Sequence, residues 1–321
     1  MTDAIVVRDL RKSFGEVQAV RGVSFEVAAG EAFGFLGPNG AGKSTTINLL
    51  VGLARADAGT KSIGGIDCTR NPRAAQHLIG VVPDESNLYP ELTGFQNLCF
   101  CGALYGLTKR DREARARALV TQFGLADAAD RLYAAYSKGM KRRLTIAAAI
   151  MHAPPILFLD EPTTGLDVAS ARQLRQMIAT LRNEGKTIFL TTHNIAEAEA
   201  LCDRVAFLVA GQIVRMDSVK ALIEPVQSRH VMLIACDPLP EGVPARLAAA
   251  FADLEVASPE PGAIRIEAGS AVPVGPVVRF LEAEGATVVE ARRVRPSLED
   301  VFVEATGIAA AAMVPRAGLE G

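Results

Sequence analysis

The sequence predicts an α/β protein with a mainly parallel sheet, followed by a smaller α+β domain. Three observations point there. Short apolar runs such as Ala32–Leu36 and Ile156–Leu159 lack polar alternation, as strands buried on both faces do. These runs are interleaved with helical stretches, an order that builds βαβ units and a parallel sheet. Near Pro225 the composition shifts, and the order becomes strand, helix, strand, strand, helix, strand.

Taken in order, Ile5 to Leu10 and Val23 to Val27 alternate apolar and polar residues and are expected as strands with one buried face. Arg11 to Gly15 between them is expected to turn, presenting Phe14. The run Ala32–Leu36 then enters Gly37-Pro38-Asn39-Gly40-Ala41-Gly42-Lys43-Ser44-Thr45 and leaves as a helix through Leu50. Ile79 to Pro83 is expected as a short buried strand, Asp84 to Thr93 as a polar loop, and Gly94 to Tyr105 and Lys109 to Phe123 as helices. A long helix follows Ser137. Ile156 to Leu159 is a strand ending in Asp160-Glu161-Pro162, before helix Val168–Asn183, strand Thr187–Leu190 and helix Asn194–Leu201. A hairpin through Val205–Leu208 and Gln212–Arg215, turning at Gly211, closes the first domain, expected over residues 1–224. Residues 225–307 read as a ferredoxin-like unit: strand His230–Ala235, helix Val243–Phe251, strands Leu254–Ala257 and Ala263–Glu267, helix Val274–Glu284 and strand Thr287–Ala291. A helix from Pro296 to Ala305 precedes an alanine-rich tail, residues 308–321, expected to be mobile.

Composition narrows the function. A net charge of −2 gives no global basic field, so no nucleic-acid partner is expected. Five scattered cysteines do not form a disulfide framework. Cys99 and Cys101, two apart on a helix, point to different faces and suit packing better than metal binding. The N-terminus has neither a basic n-region nor a long apolar core, so no signal peptide is expected. No uninterrupted apolar run approaches the ~18 residues a bilayer crossing needs, and the chain is not expected to span a membrane by itself.

The nine residues from Gly37 to Thr45 fit G-x-x-x-x-G-K-[ST] between a strand and a helix, the setting of a phosphate-binding P-loop. Glycines at 37, 40 and 42 let successive N–H groups turn toward one anion, and the helix N-terminus adds positive potential. Lys43 should reach the β- and γ-phosphates of a nucleoside triphosphate, and Ser44 should ligate Mg²⁺. Phe14 can stack on the base, with edge packing as the ordinary alternative. Asp160, at the C-terminal end of a buried strand, is placed to hold Mg²⁺. Glu161, one residue on, can polarise the attacking water. His193, after Thr191-Thr192, is placed to contact the γ-phosphate or that water. Ser137 can cap its helix or bind an anion there. Lys138, Lys141, Arg142 and Arg143 read as a solvated face, and His77, His152 and His230 as packing.

The ordered set of Phe14, the P-loop, Tyr136-Ser-Lys-Gly-Met140, Asp160-Glu161, Thr164-Gly-Leu-Asp167 and His193 resembles the ATP-binding cassette (ABC) ATPase family over roughly Ile5 to Leu222. The resemblance implies a P-loop domain with antiparallel-β and helical subdomains, binding ATP and Mg²⁺. It also implies a head-to-tail homodimer, in which Ser137 and Gly139 of one copy contact the γ-phosphate held by the other. Asp167 would lie at that interface. Tyr-Ser-Lys-Gly-Met and Pro296-Ser-Leu-Glu-Asp-Val-Phe302 look like the ATPase subunits of ABC-2 type exporters. That group works with a separate transmembrane permease, peripheral on the cytoplasmic face of the cell membrane. A soluble ABC ATPase acting on ribosomes or DNA is the alternative. Asp84 falls where the family's Q-loop glutamine is expected, with Glu85 the fallback if the register slips; a carboxylate there can still approach Mg²⁺ but cannot donate a hydrogen bond.

Overall fold

The computed structural model describes residues 3–227, 229–294 and 296–308; the expected mobile tail lies beyond Ile308, outside them. Packing divides the chain into two compact units, one of the residues up to Ser218 together with the described residues from Ala305, the other Val219–Glu304.

The first unit opens with a long hairpin of β1 (Asp3–Phe14) and β2 (Val17–Ala28). The turn expected over Arg11–Gly15 is shorter than that: β1 runs on to Phe14, and the chain reverses at Gly15, φ +58. The cause is a bulge near Asp9, φ 44, which shifts the register between Val7 and Leu10. A bulge breaks the apolar alternation without ending the strand. β3 (Ala32–Leu36) is buried along its whole length and leads into α1 (Lys43–Val51). Then come β4 (Ala58–Ile63), β5 (Ile66–Asp67) and α2 (Pro72–His77), which the sequence pattern did not announce. β4 reads Ala-Gly-Thr-Lys-Ser-Ile, and its place is set by pairing with β1 rather than by its own alternation.

The chain continues through β6 (Ile79–Val82), α3 (Gly94–Leu104), α4 (Lys109–Gln122), α5 (Lys138–Ala149) and β7 (Ile156–Asp160). It completes the unit with α6 (Val168–Asn183), β8 (Thr187–Thr192), α7 (Ile195–Leu201), β9 (Arg204–Val209) and β10 (Gln212–Ser218). Helix starts are chemically marked. Thr93, Thr108, Ser137, Asp167 and Asn194 each accept a backbone N–H at the N-cap, and Thr93 with Gln96 forms a capping box. Each such cap is worth about 1 kcal/mol.

A four-stranded antiparallel sheet has the order β2-β1-β4-β5; a six-stranded sheet has the order β10-β9-β3-β8-β7-β6. In the latter, β9, β3, β8, β7 and β6 are parallel and β10 alone runs antiparallel. A cluster of rings joins the two sheets. Phe25 of β2 meets Phe33 and Phe35 of β3 and Phe189 of β8, with centroids 5.5, 5.0 and 5.7 Å away. Register brings the functional strand ends level: Asp160 pairs with Thr191, and Leu36 with Thr192.

The second unit begins with α8 (Val219–Gln227), which contains Pro225 rather than stopping at it, then β11 (His230–Cys236) and α9 (Val243–Ala250). β12 (Glu255–Ala257), β13 (Ala263–Ala268), α10 (Val274–Ala283) and β14 (Val288–Val294) follow, and then α11 (Leu298–Thr306). Its sheet is antiparallel throughout, in the order β12-β13-β11-β14. Met232, Ile234, Leu247, Ile264, Ile266, Val277 and Leu281 fill its core. Among the described residues no helix is long and apolar enough to cross a membrane.

Candidate functional site

The loop from Gly37 to Gly42 fits its surroundings closely. A Cβ on Gly37 would lie 2.1 Å from the Leu208 carbonyl oxygen; one on Gly42, φ +101, would lie 2.3 Å from that of Ala19. Gly211 N–H donates to the Ala41 carbonyl at 3.0 Å, so the β9–β10 turn grips the loop from outside. Gly42 caps α1 without a side chain, leaving the helix N-terminus without a side-chain acceptor. Such an end is a ready site for phosphate.

Lys43, only 5% exposed, donates to the Gly37 carbonyl at 2.7 Å and the Pro38 carbonyl at 3.2 Å. Its Nζ also lies 3.1 Å from Glu161 Oε1. Asp160 Oδ1 accepts from Ser44 Oγ at 3.1 Å and from Thr191 Oγ1. Glu161 Oε2 accepts from the Thr164 hydroxyl at 3.3 Å and meets His193 Nδ1 at 2.8 Å. Burial pushes the Glu161 carboxyl upward, but the His193 hydrogen bond and the Lys43 charge outweigh it, and the net shift is below the usual range. The hydrogen bond to Glu161 raises His193 above its ordinary value. Lys43, Glu161 and the partly buried His193 therefore form a chain of alternating charge when the imidazole is protonated.

A cavity of about 650 Å³ opens over Lys43, Ser44 and Glu161, whereas Asp160 and His193, bonded to those groups, are not in its lining. It is lined by Asn39, Gly40, Gly42, Lys43, Ser44, Thr45, Asp84 and Glu161, and on the far side by residues 16–19, Arg21 and Ala210. Phe14 is not in that lining: it sits exposed at the end of β1, with Lys12 Nζ 5.1 Å from its ring centroid. Ser44 and Asp160 face each other, and Asp84 lines the same cavity. This is the all-oxygen, few-ligand donor set that suits Mg²⁺ sharing its remaining positions with phosphate and water.

Ser137, Gly139 and Asp167 do not line this cavity. Ser137 caps α5, accepting from Met140 N–H at 3.3 Å. Asp167 caps α6, accepting from Ser170 N–H at 2.9 Å and Ser170 Oγ at 2.7 Å; a Cβ on Gly139 would lie 2.8 Å from that same Oγ. The three gather where the starts of α5 and α6 meet. Asp84 also borders a second cavity of about 420 Å³, shared with Glu85, Lys138, Lys141 and Arg142. Burial pushes the Asp84 carboxyl upward, against the pull of Arg142.

Two groups were missed by sequence reasoning. Arg142 is no part of a solvated face: it is 7% exposed and donates to five backbone carbonyls. The signal was available, since 142, 145 and 146 fall on one face of α5 and all three are buried. Glu197, 1% exposed, accepts from Thr192 Oγ1 at 2.6 Å beside His193, and burial raises its carboxyl. Nothing in a single sequence distinguishes it from the exposed Glu199. His152 bonds the Ile79 carbonyl at 3.0 Å and stacks on Tyr105, so it packs as expected.

The ABC transporter family profile matches residues 20–164. The chain is 37% identical over 323 residues to the Nod factor export ATP-binding protein I of Paraburkholderia xenovorans (strain LB400), covering 95% of this chain and 97% of that one. It is 36% identical over 311 residues to a daunorubicin resistance ATP-binding protein of Streptomyces coeruleorubidus, covering 95% of each. Among solved structures it resembles an ATP-binding subunit of an ABC transporter, with TM-score 0.63 and 31% identity over 69% of this chain and 92% of that one. It also resembles a dimeric, post-hydrolysis ATP-binding cassette bound to ADP and Pi, with TM-score 0.61 and 26% identity over 67% and 98% of the two chains.

Proposed function

Because this chain belongs to the family of ABC transporter ATP-binding proteins, and so to a family of ATPases, we propose that it powers a separate permease of the ABC-2 export type. The observation that carries the proposal is the reach of the likeness. The match to the Nod factor export and daunorubicin resistance proteins extends through the second unit, to 95% of the chain. We assign residues 1–224 to nucleotide binding, 225–307 to an accessory role, and the protein to the cytoplasmic face of the membrane.

ATP binds with its phosphates against the N–H groups of the P-loop and the start of α1. Lys43 exchanges the Gly37 and Pro38 carbonyls for the β- and γ-phosphates. Ser44 and Asp160 would hold Mg²⁺, with Asp84 alongside, and a bound ion would supply positive charge against the phosphates. Released from Lys43, the Glu161 carboxylate accepts a proton from the attacking water. His193 keeps that carboxylate aimed and faces the γ-phosphate. Ser137, Gly139 and Asp167, which stand clear of their own cavity, complete the site of a second copy arranged head to tail.

The permease contact we assign to the stretch from Ser86 to Tyr105. A groove of about 620 Å³ borders this stretch at Asn87, Leu104 and Tyr105 and is lined otherwise by residues before it, such as Leu53, His77, Pro83 and Glu85; Leu53 and Leu104 are 75% and 70% exposed. A short amphipathic segment of a membrane protein suits such a lining. The test is purification of tagged protein from detergent-solubilised native membranes. Retention of a polytopic membrane protein that raises ATPase activity is the expected result. Retention of ribosomes, of DNA, or of soluble proteins alone keeps the ATPase and overturns the transport role.

A further inference from the structure

The nucleotide chemistry above gives Arg142 no task, yet the fold spends a buried cation on it. Its partners are carbonyls rather than carboxylates. Nε donates to Pro162 O at 2.8 Å; Nη2 donates to Asp160 O at 2.6 Å and Glu161 O at 2.8 Å; Nη1 donates to Asp84 O at 3.0 Å and to Pro83 O. A guanidinium has five N–H donors in a fixed plane. All five are used, three on consecutive residues at the end of β7 and two on consecutive residues after β6.

What those bonds brace is a strained turn that holds itself only in part, through Thr164 N–H donating to the Glu161 carbonyl at 3.2 Å. Glu161 has φ +47, a region that costs a non-glycine residue about 1–3 kcal/mol unless its surroundings over-determine it. Its N–H is tied to Thr191 O at 3.1 Å, and its carbonyl to Arg142. The other half of the guanidinium reaches a different element. Pro83 lines the groove assigned to the permease, and Asp84 lines the nucleotide cavity.

We propose that Arg142 is a positioning residue for hydrolysis: its five-bond plate sets the backbone of Glu161, and ties that setting to the loop at Pro83 and Asp84. The inference rests on Glu161 being the catalytic base. A displacement of the loop moves Nη1, the rigid plane carries it to Nη2, and the carboxylate of Glu161 follows. Occupancy of the groove is thereby felt at the base through one side chain. Lysine cannot substitute, because three donors on one nitrogen do not span two strand ends.

The experiment compares Arg142→Lys with the parent as full-length chains, reading ATP affinity without divalent cation and turnover with it. The expected result is a fall in kcat of about 100-fold, the effect of roughly an ångström of misplacement, with ATP affinity within about twofold. Arg142→Ala should be similarly slow and recover turnover when millimolar methylguanidinium is added, with no change in ATP affinity. Parental kcat in Arg142→Lys overturns the proposal, and so does a loss of kcat matched by an equal loss of affinity. Should neither variant fold, hydrogen exchange of the parent decides: the amides near 84 and near 161 must open together, and independent opening overturns the link. Glu161→Gln run alongside separates the two readings. Parental turnover there sinks the base assignment, whereas a slow Glu161→Gln beside a fast Arg142→Lys sinks the positioning role alone.

Discussion

Replacing Glu161 by glutamine should make this protein bind ATP more tightly while it stops turning ATP over. In the structure Lys43 Nζ lies 3.1 Å from Glu161 Oε1, both side chains being at least nine-tenths buried. At an effective dielectric of about 20 that separation is worth about 5 kcal/mol of attraction, and removing one partner of a buried pair costs about 3–5 kcal/mol. Lys43 keeps its bonds to Gly37 and Pro38, so the lower figure of about 3 kcal/mol applies. That loss falls on the nucleotide-free protein alone. On the proposed reading Lys43 moves to phosphate in the ATP complex, where its contact with Glu161 no longer separates parent from variant. The difference reappears as affinity: about 3 kcal/mol is about a 100-fold lower Kd. The assay is an equilibrium titration with ATP in chelator at low protein concentration, paired with denaturant unfolding with and without saturating ATP. The variant should unfold earlier than the parent without ATP, and the gap should close with it. An unchanged or weaker Kd in Glu161→Gln would show that the lysine is not held back by the carboxylate, and the reasoning would fall.

Gly42→Ala should abolish ATP binding, because the new Cβ meets the Ala19 carbonyl at 2.3 Å in a left-handed conformation; affinity within threefold of the parent (~0.6 kcal/mol) would contradict the close seating of the loop. Phe189→Ala removes a fully buried ring that meets Phe25, Phe33, Phe35 and Phe158, and should cost about 3–5 kcal/mol in denaturant unfolding, whereas a loss under about 1 kcal/mol would mean the two sheets do not depend on it. The raised His193 imidazole implies a pH signature in the nucleotide-free protein. Its pairing with Glu161 stabilises fully below the ordinary histidine value, about 6.5, and is lost as pH rises through the higher folded value. The Tm gap between parent and His193→Asn should therefore narrow with rising pH, and a gap that widens would reverse the assignment. Asp84→Gln should alter the Mg²⁺ titration of ATPase activity; an identical titration removes Asp84 from the metal's surroundings.

Much of the fold was legible because burial leaves a mark on composition. The strands at Ala32, Ile156 and Thr187 are apolar throughout, as two-sided burial requires, and helix Val168–Asn183 shows the apolar stripe of Leu174, Ile178 and Leu181. β4, β5 and α2 left no such mark. β4 is held by pairing with β1 and β5 by pairing with β4, while α2, six residues long, buries Ala75; such tertiary contacts are not written in local periodicity. The site divided in the same way. Lys43 and Ser44 were named from the P-loop pattern and Asp160, Glu161 and His193 from their places at strand ends, and β3, β7 and β8, paired side by side, bring all five together. Arg142 was misread because a charge run was weighed by its sign rather than by its helical phase. Phe14, read as stacking on the base or packing at an edge, stands exposed at the end of β1, because the strand continues past the bulge at Asp9.

The loop from Gly37 to Gly42 is braced by Leu208 behind, Ala19 beside and Gly211 outside. An anion arriving there has no coil to order. Encounter and capture should therefore merge into a single kinetic event, linear in ATP concentration, and the slow phases of the cycle should belong to Lys43 leaving Glu161 and to the meeting of two copies. Temperature should act on those later phases far more than on the first. An enzyme so arranged waits with its cradle rigid and its reactive groups bound to one another, and the substrate's own charge sets the sequence of events in motion.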